Sequence, residues 1–348
     1  MATMSHAPAL LLVLAITGCL SQPAPPDGGR RVWRELAGAG QPGALHGPRM
    51  TYDKTRKAVI LHGGVLREGT VHRAVNRTWI LEDDREWREI CVTPALPALH
   101  APGFAYDPLH EQLMLVGGSM TDDFKTPSDA VWTCSTTAVD ATWIPQPPLP
   151  RGVIAAQLVH DTGRGSMVLV GGVDAAGEYS RDSLATTALQ TWVPLPVDTP
   201  AAMGGSATNV TYDDRDERIL ALKNYARAFG AGHEPVNELW QLPKNAGHWS
   251  LVCAPCLNTP RSEAALVHLG ASTSTFVIGG HEGNTDLAGS WILDNGELVQ
   301  SHDDPPARDR AGVTYNVERD QVVVYGGNGP GCHGEGANCN TTWVLELE

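Results

Sequence analysis

Histidine and carboxylate are the side chains through which this 348-residue chain could do chemistry, and they gather in a few segments. Seven of the thirteen histidines, His46, His72, His100, His233, His281, His302 and His333, stand in stretches that also hold Asp174, Glu178, Glu282 and Asp286. Imidazole and carboxylate are competent ligands for a divalent metal, which makes metal binding one chemistry open to them. Solvation of polar loops in an acidic protein is the other reading, since no pair has the local spacing of a known metal motif. No cofactor is predicted; a divalent metal is the one these residues could take. His46 and His100 each stand six residues before a tyrosine, Tyr52 and Tyr106, and a position that repeats points to structure before catalysis. Arg261 and Arg308 also share a position, eighteen residues before Gly279 and Gly326. Five N–H donors suit an arginine either to tying neighbouring loops together through their carbonyls or to clamping an anion or sugar carboxylate. Arg261, Arg308, His46, His100, His281 and Glu282 are therefore the candidate binding residues. No nucleophile elbow, phosphate loop or HExxH zinc motif accompanies them.

These positions recur because the chain itself repeats. The stretch 52–64, YDKTRKAVILHGG, reads as the end of a strand, a polar turn, an apolar strand over 58–61 and a Gly-Gly exit. Eleven residues separate Tyr52 from Gly63, and the same interval links Tyr106 to Gly117, His160 to Gly171, His268 to Gly279 and Tyr315 to Gly326. A sixth copy starts at Tyr212 and reaches Lys223, without the glycines. Beyond the glycine position comes a variable loop and then a strand with Trp79, Trp132, Trp240, Trp291 or Trp343, replaced by Leu184 in the third copy. A further strand holds Trp87, Trp143, Trp192 or Trp249, with Leu298 in the fifth. Trp33 is the remaining indole, in a stretch (VWREL) that matches 86–90 (EWREI). The last copy lacks this outer strand, and Trp33 supplies one ahead of the first copy. All ten tryptophans thus fall in repeated packing positions.

A Gly-Gly pair after the second strand and a Trp in the third make the chain resemble the Kelch-repeat β-propellers, over about 31–348. The anchors lie 47 to 56 residues apart, in keeping with a Kelch repeat of about 50. The resemblance and the strand count together imply an all-β, six-bladed Kelch-type β-propeller, closed by pairing of the N-terminal strand with the C-terminal blade, which removes an exposed sheet edge. Arg261 and Arg308 correspond to the arginine of that family's repeat. Lys223 and Leu184 depart from its pattern. Turns between first and second strands (53–57, 107–112, 213–217) are short and alike, so that face reads as structural. Segments from the glycine position to the third-strand Trp position vary from 12 to 17 residues and open on the opposite face, where binding residues collect on a rigid scaffold.

The first thirty residues read as targeting sequence. An apolar run over 9–16 is too short to span a bilayer but suits a signal-peptide core. Ile16-Thr17-Gly18-Cys19 follows and resembles the bacterial lipobox, which implies cleavage after residue 18 and lipidation of Cys19; no Lys or Arg precedes Arg30, as a basic signal start would require. Three regions result: a signal peptide over 1–18, a lipidated Cys with a Pro/Gly-rich tether over 19–30, and the propeller over 31–348. Leu20 after the Cys favours the outer membrane of a bacterial envelope; plain secretion is the alternative. An oxidising compartment suits the six other cysteines. Cys253 with Cys256 and Cys332 with Cys339 read as local disulfides, Cys91 with Cys134 pairs by elimination, and a redox CxxC or a zinc site remains the alternative for the local pairs.

A formal charge of −14 and the lack of any basic run argue against nucleic acid as a partner. The expected function is a lipid-anchored binding or scaffold module, a monomer that meets a protein or glycan partner on its loop face. The resemblance also implies the alternative, a carbohydrate-active Kelch enzyme, since that family includes mutarotase-like isomerases and metal-dependent sugar oxidases. Five of the seven tyrosines occupy repeat positions, which leaves the oxidase poorly supplied with a radical tyrosine.

Overall fold

The computed structural model describes residues 31–347, apart from 38–40, 69–70, 84–85, 94, 122–123, 139, 181, 189–190, 201–208, 226–234, 258, 260, 271–273, 284, 295–296, 301–305, 331 and 333–337. Cys19, His233, His302 and His333 lie outside the described residues. The chain is all-β, with no helix among the described residues, and forms a propeller-like set of antiparallel sheets. Sheet one contains Arg49–Asp53, Ala58–His62, Thr78–Glu82 and Glu86–Ile90 in spatial and chain order. Sheets two to five repeat that meander from inner strands Gly103–Asp107, Gln157–Asp161, Asn209–Asp213 and Ala265–Leu269. Sheet six begins with Gly312–Asn316, Gln321–Tyr325 and Thr342–Leu347, and its outermost strand is Arg31–Leu36, with Trp33 opposite Leu345 and Glu35 opposite Trp343.

Second strands such as Ala58–His62 (AVILH) and Gln321–Tyr325 (QVVVY) are buried at every residue. A sheet packed on both faces requires this, and branched or bulky apolar side chains supply it. Outer strands are more exposed instead: Glu86–Ile90 buries Trp87 and Ile90 and exposes Glu86 and Arg88. Six apolar clusters each lie between two sheets. One joins sheets one and two through Ile60, Ile80, Phe104 and Trp143, and another joins sheet six to sheet one through Tyr325, Val344, Trp79 and Trp87. The indoles also carry polar ties across sheets: Trp143 Nε1 donates to Thr78 Oγ1 at 3.2 Å, and Trp87 Nε1 to Thr342 Oγ1 at 3.0 Å. Burying roughly 200 Å² of indole contributes about 5 kcal/mol before entropy is counted.

Several repeat anchors fasten their sheet to the one before it, whereas Tyr315 OH donates to Asp320 in its own turn at 2.7 Å. Tyr106 OH lies 2.5 Å from Thr55 Oγ1 in the first turn of sheet one, and Tyr212 OH accepts from Gly163 N at 2.8 Å in that of sheet three. Where histidine replaces tyrosine the reach is the same, His268 Nε2 standing 3.4 Å from Asp213. Backbone ties run alongside, from Tyr106 N to Thr51 Oγ1 and from His268 N to Thr211 Oγ1, both at 3.1 Å. The turns themselves are held by strand-end carboxylates: Asp53 Oδ1 accepts from Thr55 N at 2.9 Å and Arg56 N at 3.0 Å. A cavity of about 240 Å³ runs between the six inner strands, and Lys54, Pro108, Thr162 and Asp214 from these turns line one end of it.

Candidate functional site

Above sheets one, two, three, five and six the chain adds one more rung of pairing. The glycine pair turns it with φ of +67 and +91 at Gly63 and Gly64, which glycine adopts without steric cost. The next residue then pairs with the one six before the anchor tyrosine or histidine: Val65 with His46, Ser119 with His100, Val173 with Ile154, His281 with Ser262, Asn328 with Asp309. A third strand pairs on from there through Ala74, Pro127, Tyr179, Asp286 or Asn338. Over sheet three this layer is Ile154, Val173 and Tyr179; over sheet two it is His100, Ser119 and Pro127, and the His100 ring packs edge-on against Phe124 at 5.7 Å.

Over sheets five, six and one the same layer is polar and is stitched across the sheet boundaries. His281 Nδ1 lies 2.8 Å from Asp309 Oδ2, whose other oxygen accepts from Asn328 Nδ2 at 2.8 Å. Asn338 Nδ2 donates to Val65 O at 2.9 Å, and its carbonyl oxygen is 3.1 Å from His46 Nδ1. The His46 and His72 rings meet edge-on with centroids 5.6 Å apart.

Among the described residues, one residue further in, left-handed residues line the mouth over sheets one, two, three, five and six as a collar: Gly47, Ala101, Ala155, Glu263 and Arg310, with φ between +46 and +64. Successive members are joined by their own backbone: Ala155 N donates to Ala101 O at 3.0 Å, Arg310 N to Glu263 O at 3.3 Å and Gly47 N to Arg310 O at 2.7 Å. Such φ values cost a residue with a Cβ roughly 1 kcal/mol or more, and they persist where surrounding structure imposes them. Small residues fill the collar over sheets one to three. Over five and six it carries Glu263 and Arg310, whose Oε1 and Nε lie 3.7 Å apart.

This polar arc sets its own ionisation. Burial works to raise the Asp309 carboxyl, but hydrogen bonding from His281 and Asn328 and the Arg310 charge outweigh it, so the group titrates below the usual carboxylate range. Burial and then the nearby Asp309 charge push Asp286 up. Burial, reinforced by Arg310, pushes His46 down to about 4. His46, Glu263, His281, Asp286, Asp309 and Arg310 thus present acceptors and donors side by side, which suits recognition of hydroxyl, amide or carboxylate groups. Among the described residues no three His, Cys, Asp or Glu side chains come together so as to hold a metal ion.

Of the residues singled out from sequence, His46 and His281 enter this arc and His100 occupies the equivalent place over sheet two, away from it. Glu282 is exposed and pairs with Thr285 on a short hairpin. Arg261 and Arg308 are 6% and 2% exposed. Arg261 donates to Gly279 O at 3.2 Å and Ala288 O at 2.7 Å and lies 3.8 Å over the Trp291 ring. Arg308 donates to Gly326 O and Pro306 O, both at 3.2 Å. Both thus bind the glycine turn of their own sheet. Cys91 is joined to Cys134, Cys253 to Cys256 and Cys332 to Cys339. Glu263, Asp309, Arg310 and Asn338 escaped the sequence reading; for Glu263 and Arg310 the signal that could have found them is charge in a collar position where other copies carry Gly or Ala. No protein-family model matches the chain, and no curated protein matches it.

Proposed function

We propose that the chain is a six-bladed Kelch-type propeller, sealed by its first strand, that acts as an extracytoplasmic, lipid-anchored binding or scaffold module for a protein or glycan partner. The arc of His46, Glu263, His281, Asp286, Asp309 and Arg310 on the loop face carries this reading, because it gathers polar groups from three sheets around one mouth. Contacts between consecutive inner strands, and between those of sheets six and one, support the ring. Anchoring rests on Cys19 and the short apolar run before it. Among the described residues no helix is long and apolar enough to cross a membrane. Glycan-array and envelope pull-down screens test the function: a ligand retained by the full chain and lost from Asp309→Ala and Arg310→Ala supports it. Retention by both variants would move binding off the arc. Membrane fractionation of Cys19→Ala tests the anchor, with release into the soluble fraction expected.

A second reading, an isomerase of sugar anomers, draws on His281 held against Asp309 beside the raised Asp286 carboxyl, because that reaction needs only an acid and a base. Anomer exchange followed by NMR, present in wild type and lost in His281→Ala, is its test.

A further inference from the structure

The three disulfides differ in how far a thiol in solution can reach them. Cys91, Cys134, Cys332 and Cys339 are buried, whereas Cys253 and Cys256 both keep part of their surface in solvent, with Ala254 and Pro255 exposed between them. The pair begins at the last residue of Ser250–Cys253, the outermost strand of sheet four, and so lies at a sheet edge. Its loop is also the shortest, with the cysteines 3 positions apart against 7 and 43 in the other pairs. A cross-link over so few residues constrains the unfolded chain least, so little of the fold depends on keeping it.

Strand pairing prepares one of the two sulfurs to leave. The third strand, Pro235–Pro243, sets Leu239 opposite Cys253 and Trp240 opposite Leu251, so Val252 bulges out of the ladder. Beside this bulge Leu239 N donates to Cys256 Sγ at 3.2 Å. An N–H aimed at a sulfur favours its thiolate, and a thiol of lowered pKa leaves a disulfide faster. Cys253 O stands 2.9 Å from the same sulfur and can accept a hydrogen bond from it once Cys256 carries a proton. Reduced Cys256 thus has a partner in either protonation state. The frame is held from behind: Cys256 N donates to Asn237 O at 2.9 Å, and the buried Asn237 donates Nδ2 to Arg261 O at 2.7 Å.

We propose that Cys253–Cys256 is a thiol–disulfide exchange site that takes an electron pair from a dithiol partner. A thiolate of the partner attacks Cys253 Sγ, the bond to Cys256 breaks, and Cys256 Sγ leaves as a thiolate facing Leu239 N–H. The partner's second thiolate then attacks its own sulfur in the mixed disulfide and releases Cys253 as a thiolate. The two protons given up by the partner's thiols end on Cys253 and Cys256; the partner leaves as a disulfide. No residue of the loop-face arc takes part, so the site stands whatever that face binds.

The test incubates folded full-length protein with dithiothreitol as the dithiol, quenches it in acid, alkylates it, and reads by peptide mass spectrometry which cysteines have opened. Cys253 and Cys256 are expected to open together at least about tenfold faster than the other pairs, with tryptophan fluorescence unchanged. Opening no faster than theirs, or only as the fluorescence shifts to that of the unfolded chain, overturns the site. Alkylation rate against pH in Cys253→Ser and Cys256→Ser tests the leaving group. Cys256 is expected to turn reactive at a lower pH than Cys253, and the reverse order or no difference overturns that assignment. Should either variant fail to fold, the wild-type result decides.

Discussion

His62 ends the second strand of sheet one, in the position held by Val116, Val170, Leu222, Ile278 and Tyr325 in the other copies. It is 2% exposed, with Nδ1 2.9 Å from Thr78 Oγ1 and its ring stacked on Phe104 at 5.4 Å. Burial pushes this imidazole down to about 3, against about 6.5 in the unfolded chain. The neutral ring therefore contributes stability that is complete above about pH 6.5 and is lost as pH falls toward the folded value, at up to about 1.4 kcal/mol per pH unit. His62→Phe is expected to flatten the dependence of the urea midpoint on pH between about 6.5 and 4. An unaltered slope in the variant would place the acid sensitivity elsewhere. Arg261 makes the opposite case, a residue whose type was legible and whose role was not. Five donors near a glycine turn suited a clamp and a brace equally, and only the burial of its head against Gly279 O and Ala288 O separates them. Arg261→Met should cost about 2–4 kcal/mol in urea unfolding, through the carbonyls left unpaired and the lost contact with Trp291. A loss below about 0.5 kcal/mol, the scale of an ordinary surface change, would sink the bracing role.

At the scale of the element, the glycine pair decides how far a strand runs. Gly63 and Gly326 share a φ of +67, but a Cβ at Gly63 would have Val75 O as its nearest neighbour at 3.2 Å, whereas at Gly326 it would collide with Leu45 O in the approach to sheet one. Gly63→Ala is therefore expected to cost about 1–2 kcal/mol from backbone strain, and Gly326→Ala at least about 2 kcal/mol more. Equal melting temperatures for the two variants would show that the sheets do not approach closely there. The fourth copy supplies the natural counterpart. With Lys223 in the glycine position the chain does not turn: Arg218–Tyr225 runs for eight residues, pairs with Pro235–Pro243, and breaks register between Lys223 and Tyr225. Lys223 is 4% exposed and its ammonium sits 3.4 Å from Glu238. Strand order, anchors and indole positions were legible because each depends on a local interval that the chain repeats. The arc was not, because His281 meets Asp309 and Asn338 meets His46 across sheet boundaries. Those contacts are fixed by how the sheets pack, and no local spacing records them.

In the whole molecule, the outermost strand of sheet six comes from the opposite end of the chain, and its side chains serve two interfaces at once. Leu36 belongs to the cluster between sheets six and one, while Trp33 packs against the cluster between sheets five and six. The period of two along a strand makes this division, since residues three apart point to opposite faces. Every other outer strand follows its third strand directly in the chain; this one is joined by pairing alone, reinforced by Arg34 Nε donating to Glu346 at 2.8 Å. A chain lacking residues 31–36 would leave Thr342–Leu347 as an open edge and would loosen both clusters together. The expected cost is on the order of 5 kcal/mol, a fall of roughly 10 °C in melting temperature, accompanied by aggregation through the bared edge. Trp33→Ala and Leu36→Ala, which act on separate faces, should each lose part of that stability, with their effects close to additive. The disulfide from Cys91 to Cys134 already links sheets one and two covalently, so in the proposed closed ring, loss of the seam would release sheet six first. Limited proteolysis of the truncated chain should accordingly cut within 312–347 before it cuts sheets one or two. A melting temperature equal to that of the intact chain, with the same digestion pattern, would mean that the terminal strand does not hold the ring closed.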